Sequence, residues 1–311
     1  MKAVLALGAH PSLERTILIP GFQAGQAFRV QDSLTMAGSK GFNFARALHA
    51  MGHTATVVTP LAGHTGQYVA DLAAEERLDC AAVWVPGQTR QIVNVIDPDN
   101  GRYTELIENG PTIGATEWEA IRACVQAHLD NAAYLVVCGS LLPGTPVKAL
   151  RQVIEMADRA GVPVVLDTYG LPLKYAISCH STLLKINGRE AGDLLGRPSI
   201  QTQQEAIQAA AEIRRLGPQA VIITLGALGA GGIDAAGTVF GWQASHIERG
   251  CAIGSGDAML GALIARWREG ASLSEATRWG VAIGAANILT LGAAHFDRRD
   301  ADRLYTQTTA W

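Results

Sequence analysis

Ala133–Cys138 (AYLVVC), Pro146–Ala160 (PVKALRQVIEMADRA) and Val162–Asp167 (VPVVLD), read in that order, decide the fold. Two short β-branched apolar runs flank a segment with a helical pattern, which is βαβ rhythm. The rhythm continues downstream through Leu183–Ile186. A predicted helix follows over Gln203–Leu216, with Ala206, Ala210 and Ile213 on one face and Gly217 as its stop, and then the strand Ala220–Leu225. Parallel strands require such crossovers, and runs apolar on both faces imply a central, mostly parallel sheet with helices on each side.

Upstream the pattern changes. Residues of about 12–36 and 87–108 look like short strands joined by turns (Pro20-Gly21, Asp97–Gly101) with no helical period, and they can pair with each other. Between them Phe44, Ala47, Leu48 and Met51 repeat at helical spacing before Gly52, which predicts a helix over Gly41–Gly52. A small β-element beside a large α/β body suggests a lid over a cleft at the carboxyl ends of the strands. No Pro- or Ser-rich linker, charge block or repeat divides the chain, so residues 1–311 read as one domain with the lid inserted in it.

Composition narrows the functional classes. The chain has 311 residues, 48% hydrophobic and 17% charged, with a net charge of -3. That is globular, and nothing in the charge draws it to nucleic acid or an anionic membrane. The five cysteines (Cys80, Cys124, Cys138, Cys179, Cys251) are scattered, odd in number and free of any CxxC pair, which fits reduced thiols in the cytoplasm better than disulfides or a zinc knuckle. The opening MKAVLALGAHPSLE reads as a first buried strand and not as a signal peptide. The longest apolar window, 280–294, is interrupted by Gly, Asn and Thr and falls short of the roughly 20 residues that span a bilayer.

Three clusters carry chemistry. Cys251-Ala252-Ile253-Gly254-Ser255-Gly256-Asp257 runs directly into the apolar segment Ala258–Trp267, so Asp257 sits at a helix start where Gly254, Ser255 and Gly256 expose backbone N–H groups suited to phosphate oxygens. Two readings of Asp257 stand side by side: an ordinary acid capping a helix, or a base that takes a proton from an attacking hydroxyl. A second glycine cluster, Ala37-Gly38-Ser39-Lys40-Gly41-Phe42-Asn43, sets backbone donors and an amide at another helix start, although a plain turn capped by Asn fits as well. Lys185-Ile186-Asn187-Gly188-Arg189-Glu190 puts an amide and a carboxylate at the carboxyl end of a strand. Asn187 and Glu190 suit the water-rich shell of a magnesium–nucleotide complex, while Glu190 is equally the first-turn acid of a short helix. Arg90 and Arg102 fall in the expected lid, where a guanidinium can clamp a phosphate or simply face solvent. A Walker A loop and a GxGxxG fingerprint are both missing, and His49 and His53, split by Gly52, make a poor zinc pair.

Taken in order, these segments resemble the PfkB carbohydrate-kinase family, and within it the 1-phosphofructokinase and tagatose-6-phosphate kinase branch. The series covers nearly the whole chain. His10–Glu14 is similar to that branch's NPAxD start, Gly38–Ala45 to GGKGxNvA, Thr89-Arg90-Gln91 to TRxN, and Thr104-Glu105 with Gly110-Pro111 to TExNxxGP. Gly139–Gly144 is similar to GSLPPG, Asp167–Gly170 to DTSG, Lys185–Glu190 to KPNxxE, Thr224–Gly229 to TLGxxG, and Gly254–Asp257 to GAGD.

The resemblance implies a ribokinase-like three-layer α/β/α fold with a small β-lid, and phosphoryl transfer from ATP with Mg²⁺ to a hydroxyl of a sugar phosphate, most simply fructose 1-phosphate. It implies Asp257 as the base and Gly254, Ser255 and Gly256 as the anion hole. Glu14, Gly38, Ser39, Lys40, Gly41, Asn43 and Arg90 match the sugar side, with Arg90 on the existing phosphate. Lys185, Asn187, Thr224, Gly226 and Gly229, with Gly254 and Gly256, match the nucleotide side, and Asn187 with Glu190 the magnesium. A homodimer through the lid is implied as well. Most departures fall on the sugar side: Glu14 replaces an Asp, Ser39 a glycine, Phe42 adds a ring beside Asn43, and Gln26 stands near a lid position where some relatives carry a charge, while Ile186 replaces a proline in the segment matched to the nucleotide. The alternatives are a tagatose-6-phosphate, 6-phosphofructo- or other sugar or polyol kinase, and a non-catalytic sugar- or nucleotide-binding protein that kept the fold.

Overall fold

In the computed structural model, which describes residues 2–30, 32–245, 247 and 250–311, two sheets divide the strands. Residue 31, inside the expected lid stretch, lies outside the described residues. The first strands are β1 (Ala3–Gly8), β2 (Ser12–Leu18), β3 (Asp32–Gly38), β4 (Ala55–Leu61), β5 (Asp79–Trp84), β6 (Arg90–Asp97) and β7 (Arg102–Ile107). They are followed by β8 (Ala132–Cys138), β9 (Val164–Asp167), β10 (Leu183–Asn187), β11 (Ala220–Thr224), β12 (Ala230–Ile233), β13 (Val239–Gln243) and β14 (Thr309–Ala310). The larger sheet has ten strands in the order β14-β13-β12-β11-β10-β9-β8-β1-β4-β5. From β11 to β5 every pairing is parallel, and only β12, β13 and β14 at one edge are antiparallel.

The helices are α1 (Lys40–Ala50), α2 (Gly63–Glu75), α3 (Ala115–Leu129), α4 (Ala149–Arg159), α5 (Gly170–Ala176), α6 (Gly188–Leu195), α7 (Gln203–Arg214), α8 (Ser255–Arg268), α9 (Leu273–Asn287) and α10 (Arg298–Thr306). They form one layer on each face of the large sheet. β1 shows why: Val4 and Ala6 join a core with α1, α2, α8 and α9, while Leu5 and Leu7 join a second core with α3, α4 and α7. A strand buried on both faces cannot alternate polar with apolar residues, which is why its sequence reads as a continuous apolar run. Each fully buried leucine there contributes about 1.5–3 kcal/mol of transfer free energy.

β1 pairs with β4 on one side and β8 on the other, so the chain leaves it in both directions. Such a switch point opens a crevice at the carboxyl ends of the strands. His10 follows β1, Gly139 and Ser140 follow β8, and Asp167 ends β9, all at that crevice.

The smaller sheet has four strands in the order β3-β2-β6-β7, with β2 antiparallel to β3 and parallel to β6. Its register sets Ser12 opposite both Gly38 and Arg90, so the ends of three strands meet at the crevice. Among the described residues no helix is long and apolar enough to cross a membrane.

Candidate active site

α8 begins three residues before the apolar segment that starts at Ala258: Gly254 is the N-cap, with φ 78° and ψ -4°, and Asp257 lies in the first turn. A side chain at position 254 is strained in that left-handed backbone and would meet Ala293 at 2.6 Å, so the glycine is required. Asp257 is buried, its Oδ2 accepts from Asn43 Nδ2 at 2.9 Å, and its Oδ1 lies 3.8 Å from Lys40 Nζ. Burial pushes the Asp257 carboxyl above the ordinary carboxylate range, against the pull of the Lys40 cation and the Asn43 amide. Turnover that needs ionised Asp257 therefore falls away on the acid side at a higher pH than a free carboxyl would give.

An ion trio surrounds it. Asp167 Oδ1 accepts from Lys40 Nζ at 2.6 Å and its Oδ2 from Lys185 Nζ at 2.8 Å. Although Asp167 is buried, which opposes charge, the two lysines hold its carboxyl down at about 2. In turn Asp167 and Asp257 overcome the burial of Lys40 and keep its ammonium charged well past its ordinary range. Lys185 Nζ faces Gly256, 3.6 Å from where a Cβ would stand on that glycine. Two cations and a helix start thus converge where anionic oxygens need stabilising.

On the smaller sheet Glu14 is buried, and its Oε1 accepts from Asn94 Nδ2 at 2.8 Å. Burial pushes the Glu14 carboxyl upward, opposed by Arg46, the Ser39 N–H and the Asn94 amide. Gly38 leaves room for it, since a Cβ there would lie 2.4 Å from Glu14 Cβ. Arg90 Nη2 donates to His10 O at 3.1 Å, while its buried Nε has no partner, so the guanidinium keeps donor capacity for an incoming anion.

His10 anchors this corner: Nε2 lies 3.0 Å from Asn109 O and must donate to it, which leaves Nδ1 to accept from Ser140 Oγ at 2.9 Å. Burial first, and then Arg90, lower its pKa from 6.5 to about 4. A folded value below the unfolded one gives stability that is present above pH 6.5 and is lost as pH falls toward 4. We expect His10→Gln to remove that slope, a difference on the order of 2 kcal/mol between urea titrations at neutral and at acid pH.

Three of the residues expected on the nucleotide side gather separately. Asn187, Thr224 and Gly226 line a cleft of about 320 Å³ together with Gly188, Arg189, Ser199, Ile200, Gln201 and Leu225. Gly229 turns the chain after a short 3-10 turn and approaches Trp242 O within 1.9 Å of a notional Cβ, so it shapes this edge through the backbone. Asn187 and Glu190 form a capping box at the start of α6: Asn187 Oδ1 accepts from Glu190 N, and Glu190 Oε2 from Asn187 N, each at 2.9 Å. This engages one oxygen of each and leaves Glu190 Oε1 free. Among the described residues no three His, Cys, Asp or Glu side chains cluster as a metal cage. Hard oxygens in so small a number fit a magnesium ion that keeps most of its waters.

The structure adds local detail to several sequence expectations. Ser255 is tied into the loop: its Oγ accepts from Asn287 Nδ2 at 3.0 Å and its N–H donates to Ala252 O at 3.1 Å. The Asp257 N–H is likewise spent on Gly254 O at 3.1 Å, whereas the Gly256 N–H makes no backbone bond outside helices among the described residues. Asn43 and Lys40, expected on the sugar side, lie against Asp257: Asn43 Nδ2 bonds to Oδ2 and Lys40 Nζ stands 3.8 Å from Oδ1. Ser39 caps α1 at φ 87°, its Oγ donating to His10 O at 2.7 Å, and Gly41 seats α1 on β1, a Cβ there lying 2.7 Å from Gly8 Cα. Asp167, Arg46 and Asn94 carried no assigned role in the sequence. An acid closing a parallel strand was a signal for Asp167; nothing local marked the other two.

Residues 20–299 match the family described as pfkB family carbohydrate kinase. The chain is 29% identical over 307 residues to ATP-dependent 6-phosphofructokinase isozyme 2 of Escherichia coli (strain K12), covering 98% of each chain. It is 29% identical over 291 residues to 1-phosphofructokinase of Rhodobacter capsulatus, covering 93% of this chain and 91% of that one. Phosphofructokinase-2 from Escherichia coli, solved in complex with substrates and products, superposes with a TM-score of 0.90 at 29% identity over 98% of both chains. Ribokinase from Arabidopsis thaliana shares the fold alone, with a TM-score of 0.75 at 21% identity, over 98% of this chain and 99% of that one. The chain has the ribokinase-like α/β fold and belongs to the pfkB family of carbohydrate kinases.

Proposed function

We propose that the protein transfers the terminal phosphoryl group of ATP to the free primary hydroxyl of a fructose monophosphate, fructose 1-phosphate giving fructose 1,6-bisphosphate. The observation that carries this reading is the setting of Asp257: a buried carboxylate at the start of α8, with Oδ2 held by Asn43, beside Lys40 and within electrostatic reach of Glu14 on the smaller sheet. Oδ1 takes the proton of the acceptor hydroxyl, and the hydroxyl oxygen bonds to the terminal phosphorus as the bond to the leaving diphosphate breaks. Lys40, Lys185 and the Gly256 N–H are the groups of this chain that offset the charge spreading over the transferred oxygens. Thr224, Gly226 and Asn187 line the cleft for the nucleotide. Asn187 and Glu190 would hold a magnesium ion, which would supply charge neutralisation there.

The smaller sheet acts as a lid that excludes water from the transfer. Its edge strand β7 exposes Leu106 (58%) and Ile107 (57%), and a second copy laid along that edge would cover them, so a homodimer through the lid is part of the proposal. The free cysteines are in keeping with a cytoplasmic setting.

A second reading, fructose 6-phosphate as acceptor, is favoured by the match to the 6-phosphofructokinase isozyme, which spans more of both chains than the match to the 1-phosphofructokinase. Both acceptors yield the same bisphosphate, so the product cannot separate them. Parallel kcat/KM measurements on fructose 1-phosphate, fructose 6-phosphate, tagatose 6-phosphate and unphosphorylated fructose do. Turnover confined to unphosphorylated sugars would end the proposal, because Arg90 would then have no phosphate to hold. Arg90→Ala should raise KM for the sugar phosphate about 100-fold and leave KM for ATP within about twofold. Lysine should restore little, since it lacks the fork.

A further inference from the structure

Arg46 is a charged residue on the buried face of α1, among Phe42, Phe44, Ala45, Ala47 and Leu48. A guanidinium taken out of water is tolerated only if its donors are satisfied, and here each is. Nε pairs with Glu76, and Nη2 reaches Glu76 Oε1 at 2.9 Å and Ala37 O at 2.8 Å. Nη1 donates to Ala293 O at 3.1 Å and to Asn43 Oδ1 at 2.9 Å. Arg46 thereby ties α1 to the end of β3, the end of α2 and the segment after α9.

The last of these bonds bears on the reaction. Arginine can only donate, so the Asn43 atom facing Arg46 must be the carbonyl oxygen, and the amide nitrogen is left to donate to Asp257 Oδ2. An amide that donates favours the carboxylate. Rotated by half a turn, the same amide would present its oxygen to Asp257 and favour the protonated acid.

We propose that Arg46, clamped by Glu76, is a positioning residue that fixes the orientation of the Asn43 amide and so keeps Asp257 ionised with Oδ1 free for the acceptor hydroxyl. The inference rests on the reading of Asp257 as the base. The other titratable groups that face Asp257 or this clamp are Lys40 on α1, Asp167 on β9, Lys185 on β10, Glu14 on β2, Cys138 on β8, and His295 beside Arg46 and Glu76. Arg46→Lys leaves all of them in place and keeps the charge at position 46, removing only the fork.

The test uses the full chain as wild type, Arg46→Lys and Glu76→Gln, with two readouts: the pH profile of kcat, and NMR exchange rates of the Asn43 side-chain amide protons without substrates. In Arg46→Lys the acid limb should move up by about one pH unit, kcat near neutral pH should fall about tenfold with KM for ATP within about twofold, and the Asn43 amide protons should exchange faster. Glu76→Gln should shift the same quantities in the same direction by less, and it decides the matter if Arg46→Lys does not fold. A folded variant with lower activity but an unmoved acid limb and unchanged Asn43 exchange would overturn the inference, as would a variant like wild type throughout. Should the wild type transfer no phosphoryl group to any acceptor, the kinase reading fails, while the Asn43 exchange rates still decide the role of Arg46.

Discussion

Asp257→Asn is expected to lower kcat between about 10²- and 10⁴-fold while leaving the dissociation constant for ATP within about twofold. The substitution keeps the side chain's shape and an oxygen that Asn43 Nδ2 can still reach, so the start of α8 and its neighbours need not move. What it removes is the one group, among the described residues, bonded to Asn43 and adjacent to Lys40 that can accept a proton and then carry it as a neutral acid. The cleft proposed for the nucleotide is lined by other residues, Asn187, Thr224 and Gly226 among them, so binding and chemistry should separate. Equal loss of ATP binding and turnover would make Asp257 a structural acid at a helix start, the plain alternative that the sequence left open.

Asp167→Asn should be the most destabilising change in the site, by about 3–5 kcal/mol, because it removes the counter-charge of two lysines at once. Lys185, whose side chain is 3% exposed, then loses its salt-bridge partner among the described residues and cannot turn to water. For a chain of this size that corresponds to a melting temperature lower by roughly 5–8 °C. Asp167→Asn combined with Lys185→Met should recover much of the loss, since an apolar side chain of similar length does not need the partner. The pH dependence has a definite sign. With its carboxyl held down to about 2, Asp167 contributes stability above its unfolded value of 3.8, and that contribution is lost as pH falls through 2. A double variant no more stable than Asp167→Asn alone would show that the trio is not the source of the cost.

The architecture was legible because β1, β8, β9, β10 and β11 are buried on both faces, and a strand with two apolar faces writes itself as a continuous β-branched run. The start of α8 was legible for a similar reason, the apolar length of Ala258–Trp267 behind a glycine loop. Side-chain partners across the fold were not. Asn43 and Asp257 are separated by 214 residues, and Lys40 and Asp167 by 127, so no local pattern signals that they touch. Arg46 lies one turn after Asn43 on α1, yet its five bonds run to segments as distant as Ala293. The partner of Ser255 was equally hidden: its Oγ accepts from Asn287, 32 residues away. The four strands of the smaller sheet were visible as segments, whereas their register, which brings Gly38, Ser12 and Arg90 to one edge of the crevice, depends on pairings that alternation alone does not fix.

The account turns on phosphoryl transfer at Asp257, and phosphorus NMR of one mixture measures it. With ATP, magnesium and fructose 1-phosphate, alongside a parallel sample with fructose 6-phosphate, the wild-type protein should generate ADP and fructose 1,6-bisphosphate in equal amounts from at least one acceptor, and Asp257→Asn should leave both spectra nearly unchanged over the same interval. Release of inorganic phosphate with no bisphosphate from either acceptor, or bisphosphate formed as fast by Asp257→Asn as by the wild type, would contradict it.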